Sequence, residues 1–232
     1  MDIFRQNTWP RLLKKPRGKR VVVLAPHMDD EIIGCGGTLC KHVDAGDRVA
    51  VIYFTSGEKG NRDFCADTAL SEQRRAETRL ANAALGIQDV YFLDLPDGSE
   101  ASWDEAAPRL AQLLQQLRPQ LLYLPPFYDL HTDHRKTNTL LRLAAPELLA
   151  DVCVYEVWSP VQPNVLVNIT EHMPRKLQAI RACTSQLDAV PYDKLLLGLN
   201  AYRAAMTMVP QVEYAEAFCQ MPLTEYFKMW EK

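Results

Sequence analysis

The chain has 232 residues, 47% of them hydrophobic, enough to bury one substantial core, and a single α/β domain spanning 1–232 is the default at this length. A formal net charge of −3 gives no global electrostatic reason to bind nucleic acid or an anionic membrane. No stretch approaches the ~20 apolar residues of a transmembrane segment, and "MDIFRQNTWPRLLKK" lacks the apolar core of a secretory signal, so the chain reads as cytoplasmic.

In chain order, residues 1–19 read as an N-terminal leader whose basic run, "KKPRGKR", is solvated. Short aliphatic runs then recur at 20–26, 48–55, 89–95, 120–126, 152–158 and 164–170. Each is continuous rather than alternating, as expected of strands covered on both faces. Between them lie segments with helical spacing: "GTLCKHVDAG" ending on Gly46, "ADTALSEQRRAETRLANAALG" ending on Gly86, "DEAAPRLAQLLQQLRP" stopped by Pro119, and "HRKTNTLLRLAAPELLA". The last third, from "EHMPRKLQAIRACTSQ" onward, reads as helical cover. The alternation predicts a single-domain, Rossmann-like, doubly wound and mostly parallel sheet flanked by helices. Six cysteines without a CxxC pair suggest neither a zinc ribbon nor a disulfide framework; most are expected reduced and buried.

The first strand runs straight into "LAPHMDDEIIGCGG", which places His27, Asp29, Asp30 and Glu31 within five positions. The carboxylates alone fit the first turn of a helix, where exposed amides and the helix dipole favour negative charge. His27 is harder to explain that way. A second cluster, "DLHTDHRK", follows the fourth strand and carries His131, Asp133 and His134. The remaining histidines, His42 and His172, sit among surface-type residues and read as ordinary. In doubly wound sheets the first and fourth strands are often neighbours and their helices leave toward opposite faces, so both clusters meet in the crevice beyond the strands' carboxyl ends. A catalytic zinc needs three protein ligands and one open position; His27, Asp30 and one later histidine supply that number.

"APHMDDE" with downstream "HTDHR" resembles the PIG-L/LmbE family of zinc-dependent N-acetylglucosamine-type deacetylases, and weaker similarity continues through "RRAETRLANAALGI", "LPDG", "RKLQAIRACTSQ" and "YAEAF". The resemblance implies that His27, Asp30 and His134 bind zinc, with ferrous iron an alternative at such an N/O site. It implies Asp29 as general base, His131 assisting at the carbonyl oxygen or leaving amine, and Asp133 orienting His131 in its charged form. Arg74 and Asp97 are the implied substrate contacts, although Asp97 equally fits a plain Pro-Asp-Gly turn and Arg74 a solvated helix face. Two departures stand out: Met28 replaces a proline common in the first block, and Cys183 a histidine. The implied reaction is zinc-activated hydrolysis of the N-acetyl group of a small amino-sugar substrate, by a homo-oligomer.

Two other readings compete. "GCGG" suggests a nucleotide-binding Rossmann domain, but the dinucleotide fingerprint needs its first glycine directly after the strand, and Gly34 comes eight residues beyond Pro26. A non-catalytic metal- or sugar-binding module is the second. Phe127, Tyr128 and Trp158 are candidates for stacking on a sugar face, or for ordinary packing.

Overall fold

The computed structural model describes residues 9–61, 63, 65–99 and 101–230, so residues 1–8 of the leader, positions 62, 64 and 100, and residues 231–232 lie outside it. Its elements run β1 (Arg11–Leu13), β2 (Arg20–Ala25), α1 (Asp30–Asp44), β3 (Arg48–Thr55), α2 (Thr68–Leu85), β4 (Asp89–Leu95), α3 (Ala107–Leu117), β5 (Leu121–Leu124), α4 (Thr132–Ala144), β6 (Asp151–Val154), β7 (Val165–Asn168), α5 (Met173–Ala182), α6 (Thr184–Leu187), α7 (Tyr192–Ala205), β8 (Ala215–Pro222) and α8 (Leu223–Lys228).

One eight-stranded sheet has the order β1-β7-β8-β6-β5-β2-β3-β4. The strands read first and fourth in the sequence, β2 and β5, are parallel neighbours, with Val21 opposite Leu121 and Val23 opposite Tyr123. Alternate residues of β2 serve two cores. Val21, Val23 and Ala25 pack with residues of α1, α2, α5 and α7, while Val22 and Leu24 pack with residues of α3, α4 and α8. Helices α1 and α4 therefore leave on opposite faces, which creates a crevice at the carboxyl ends of β2 and β5. Burying each of these valines and Leu24 fully contributes ~1.5–3 kcal/mol, which explains why the central strands are unbroken aliphatic runs.

Two sequence expectations fail here. Part of the leader is a strand, since β1 pairs parallel with β7. The last third is not all helix: β8 inserts between β6 and β7, antiparallel to both. Its sequence, "AEAFCQMP", is rich in helix formers, and pairing on both edges overrides that weak local preference. The capping glycines behave as read: Gly86 adopts a left-handed φ of 81° at the end of α2.

The glycine run also has its explanation. A Cβ on Gly34 would stand 2.3 Å from Cδ2 of Tyr155, and one on Gly37 would stand 2.7 Å from Cβ of Ile169. These glycines let α1 approach its neighbours closely; they do not form a phosphate loop. The Tyr155 ring cannot retreat, because it is wholly buried and its hydroxyl donates to the Leu24 carbonyl at 3.0 Å. Gly34→Ala gains ~1 kcal/mol of helix propensity but overpacks at a cost of ~1–3 kcal/mol or more, so a net loss of stability is expected. Gly36→Ala meets Cγ of Lys176 at 3.3 Å and Cγ2 of Ile32 at 3.5 Å, a milder crowding than at Gly34, so a smaller loss is expected. Urea midpoints of the two variants check this contrast.

His42, read as a surface residue, is fully buried at the end of α1. Its Nδ1 donates to Asp47 Oδ2 at 2.8 Å, and its Nε2 accepts from the Tyr123 hydroxyl at 3.0 Å, the pattern of a neutral imidazole. Lys15, from the basic run, also bonds Asp47. Burial, outweighing the Asp47 hydrogen bond, pushes the His42 pKa down from 6.5 to about 4. A folded value below the unfolded one means the unfolded chain binds the extra proton between pH 6.5 and 4. Stability should fall as pH drops through that window, by about 3 kcal/mol in total. His42→Gln, which cannot titrate, should flatten the pH dependence of the urea midpoint between pH 6.5 and 4.5.

Candidate metal centre and its surroundings

After β2 the chain turns through Pro26 and His27, and Asp29 sits at the N-cap position of α1 with no side-chain cap bond. Its carboxylate is thus free for another task. Asp30 and Glu31 lie in the first turn, as the helix-terminus reading requires. The backbone amide of His27 donates to Asp30 Oδ2 at 2.8 Å, which folds the loop back on the helix. After β5, Arg135 donates to the carbonyls of Asp129 and Leu130 at 2.6 and 2.8 Å, and α4 begins with His131 as its N-cap.

The two loops converge. His27 Nδ1 is 3.2 Å, and His134 Nε2 3.3 Å, from Asp30 Oδ2. Ring centroids of His27, His131 and His134 lie 4.6–5.3 Å apart. One nitrogen from each of the three lies within 4.8 Å of those of the others, and a second such group joins His27 to Asp97 and Asp133. His134 is wholly buried, and its ring nitrogens, without a well-aligned hydrogen bond, face only carboxylate oxygens: Asp30 Oδ2 at 3.3 Å from Nε2 and Asp129 Oδ1 at 3.5 Å from Nδ1. A cation that accepts the Nε2 lone pair would leave Nδ1–H to Asp129, giving each His134 nitrogen one partner. Two imidazoles and a carboxylate converging on one point form an ordinary donor set for a divalent metal, so the residues fit.

Around this point the charges are arranged by burial. Burial raises the Asp29 pKa to about 6, opposed by the guanidinium of Arg74, whose Nη2 is 3.5 Å from Asp29 Oδ2. Burial, reinforced by the neighbouring His27 and His134, lowers His131 to about 4. Its Nδ1 accepts the backbone amide of Asp133 at 3.2 Å, so the neutral ring carries its proton on Nε2. Burial would raise Asp97, but the hydrogen bond and charge of His27 and the charge of Arg74 outweigh it and bring the carboxyl to about 2. Glu31 is pushed up to about 8 by burial and accepts from the Tyr53 hydroxyl at 2.5 Å, which makes it part of the core rather than the site.

Several sequence assignments change. The Asp133 carboxylate does not hold His131 in a charged form; Oδ2 lies 3.4 Å from His27 Nε2 and accepts the Gly98 amide at 2.8 Å. The reason is helical geometry: Asp133, in the first turn of α4, presents its backbone to the cap residue and its side chain to the crevice. Arg74 is buried, 3% exposed, and donates to the Gly57 carbonyl at 3.2 Å, so it braces Asp29 and the loop after β3. Asp97 is both turn and site residue: Gly98 has a φ of 54°, while Asp97 Oδ1 is 3.4 Å from His27 Nε2. Phe127 packs against Tyr226 and Trp230, whereas Tyr128 and Trp158 are 48% and 38% exposed. Sequence reading missed Asp129, whose Oδ1 is 3.5 Å from His134 Nδ1 and also accepts the His131 amide. The carboxylate in "DLHTDH", two residues before the first histidine, was the available signal.

The fold and this cluster define a metal-site α/β protein, and comparison with known proteins places it. The model of the GlcNAc-PI de-N-acetylase family, PIG-L, matches residues 22–145, and the chain belongs to that family. It is 28% identical over 187 residues to a diacetylchitobiose deacetylase of Thermococcus kodakarensis, covering 72% of this chain and 70% of the relative. It is 27% identical over 192 residues to a probable N-acetyl-α-D-glucosaminyl L-malate deacetylase of Bacillus cereus, covering 75% and 87%. The crystal structure of N,N'-diacetylchitobiose deacetylase from Pyrococcus horikoshii with an inhibitor superposes with a TM-score of 0.76 at 28% identity, covering 88% of this chain and 84% of that one.

Proposed function

We propose that this protein hydrolyses the N-acetyl group of an N-acetylglucosamine-type glycoside, releasing acetate and a free amine, with a divalent metal held by His27, Asp30 and His134. The observation that carries the reading is the approach of His27 and His134 to one oxygen of Asp30 beside Asp29, whose carboxylate makes no helix-cap bond and faces Arg74. The relatives' names supply the substrate class. A bound divalent cation supplies Lewis acidity, polarising the amide carbonyl and bringing the pKa of a water to ~7.

The protein's own groups do the rest. Asp29 accepts a proton from the attacking water and delivers it to the departing nitrogen as the C–N bond breaks. His131, neutral with Nε2–H, donates to the developing oxyanion. Arg74 keeps Asp29 in place and in its ionised form. The nitrogen and oxygen donors suit zinc, and equally ferrous iron. Six free cysteines, four of them buried, support a reducing compartment such as the cytoplasm, and no helix among the described residues is long and apolar enough to cross a membrane. A homo-oligomer is the working form that family resemblance implies.

The test is acetate release from diacetylchitobiose and from N-acetylglucosaminyl conjugates of inositol and malate, with metal quantified in the same sample. Release that stops on chelation and returns with zinc is expected. A metal-replete protein that releases no acetate from any of them overturns the reading.

A further inference from the structure

His27 has its two ring nitrogens in different company. Nδ1 faces Asp30 Oδ2 at 3.2 Å, on the side that His134 Nε2 reaches. Nε2 lies 3.4 Å from both Asp97 Oδ1 and Asp133 Oδ2. A neutral imidazole has one N–H and one lone pair, and which nitrogen holds which is set by the partners on each side. We infer that Asp97 and Asp133 are positioning residues that jointly accept the Nε2–H of His27 and thereby turn its Nδ1 lone pair toward the cation position beside Asp30 and His134. The inference rests on the metal-dependent reading above.

Both carboxylates are themselves held, so they can fix the ring rather than follow it. Asp133, wholly buried in the first turn of α4, accepts the Gly98 amide at 2.8 Å through the same Oδ2. Asp97, in the turn after β4, accepts the Lys59 amide at 3.3 Å through Oδ2, and its own amide donates to Glu58 Oε1 at 3.0 Å. The clamp thus joins segments that follow β3, β4 and β5 onto a histidine that follows β2. His131 does not compete for the Asp133 carboxylate, because its Nδ1 is occupied as an acceptor of the Asp133 amide. Carboxylates that receive the second N–H of a metal-ligating histidine typically control ~10–100-fold in metal affinity.

Long-range 1H–15N spectra of the full chain, metal-free and zinc-loaded, test the assignment directly. His27 Nε2 should carry a proton in both states, and Nδ1 should be the unprotonated nitrogen in the zinc-loaded one. Zinc affinity, read by chelator competition, should weaken ~10–100-fold in both Asp97→Ala and Asp133→Ala. Asp133→Asn keeps an oxygen that can accept the N–H and should recover most of that loss. If Asp133→Ala does not fold, Asp97→Ala and the spectra of the unaltered protein still decide.

Three results overturn the inference: Nε2 unprotonated with zinc bound, unchanged zinc affinity in the alanine variants, or two zinc ions per chain with one lost in those variants, which would make the carboxylates ligands. A protein that binds one zinc and keeps the Nε2 proton, yet releases no acetate, would sink the deacetylase reading and leave the clamp standing.

Discussion

Asp29→Asn is expected to lower kcat for acetate release by ~10²–10⁴-fold, the usual contribution of a positioned general base, while metal bound per chain stays unchanged. Asparagine matches the shape of the aspartate, so a site only 3% exposed is not repacked. The exchange removes the group that takes a proton from water and leaves His27, Asp30 and His134 as they are. Asp29 fits the role because it heads α1 without capping it and because burial has raised its pKa to about 6, closer to neutrality than an ordinary carboxylate. The nearby guanidinium of Arg74 opposes that rise and favours the ionised form. Kinetics with metal quantified on the same preparation checks the result. A metal-replete variant within about tenfold of the parent rate would remove Asp29 from the base role.

His134→Ala should abolish metal binding and turnover together. A ligand that binds only the folded state stabilises it by about 2.7 kcal/mol at a hundredfold excess over Kd, so added zinc should raise the melting temperature of the parent and not that of the variant. Metal-free stability changes as well. Truncating a wholly buried side chain of this size would ordinarily leave a costly cavity. Here the same change also takes away an imidazole that stands 3.3 Å from Asp30 Oδ2 and 3.5 Å from Asp129 Oδ1, so two buried carboxylates lose a partner and the effects add. The chelated variant should therefore unfold at lower urea than the chelated parent, and only the parent should gain further stability from zinc. A loss of metal-free stability with zinc still retained would show that His134 is a core residue and not a ligand.

The centre of the sheet was legible from the sequence because a strand covered on both faces must be continuously apolar. β2, β3 and β5 fall where their aliphatic runs predict, as does the half-buried edge strand β4, and the crevice beyond β2 and β5 follows from helices that leave them toward opposite faces. The margins were not legible. β1 has three residues and β8 is composed largely of helix formers, so neither carries a local signal as strong as the pairing that creates it. His42 reads as polar surface on its helix because Tyr123, which closes over it, comes from β5, 81 residues away, and only the Asp47 turn is local.

The site divides along the same physical line. Which residue types could hold a cation was determined by the sequence alone: imidazoles and carboxylates placed just after two buried strands have few other uses, and His27, Asp30 and His134 do converge. Which partner each one faces was decided only by tertiary structure. The Asp133 carboxylate turns to His27 and Gly98, Arg74 is buried against Asp29, and Asp129 approaches His134. Spacing along a chain sets which side chains can be neighbours within one turn of helix. The direction of a hydrogen bond between loops from different strands depends on how those strands are stacked, and no local pattern encodes that.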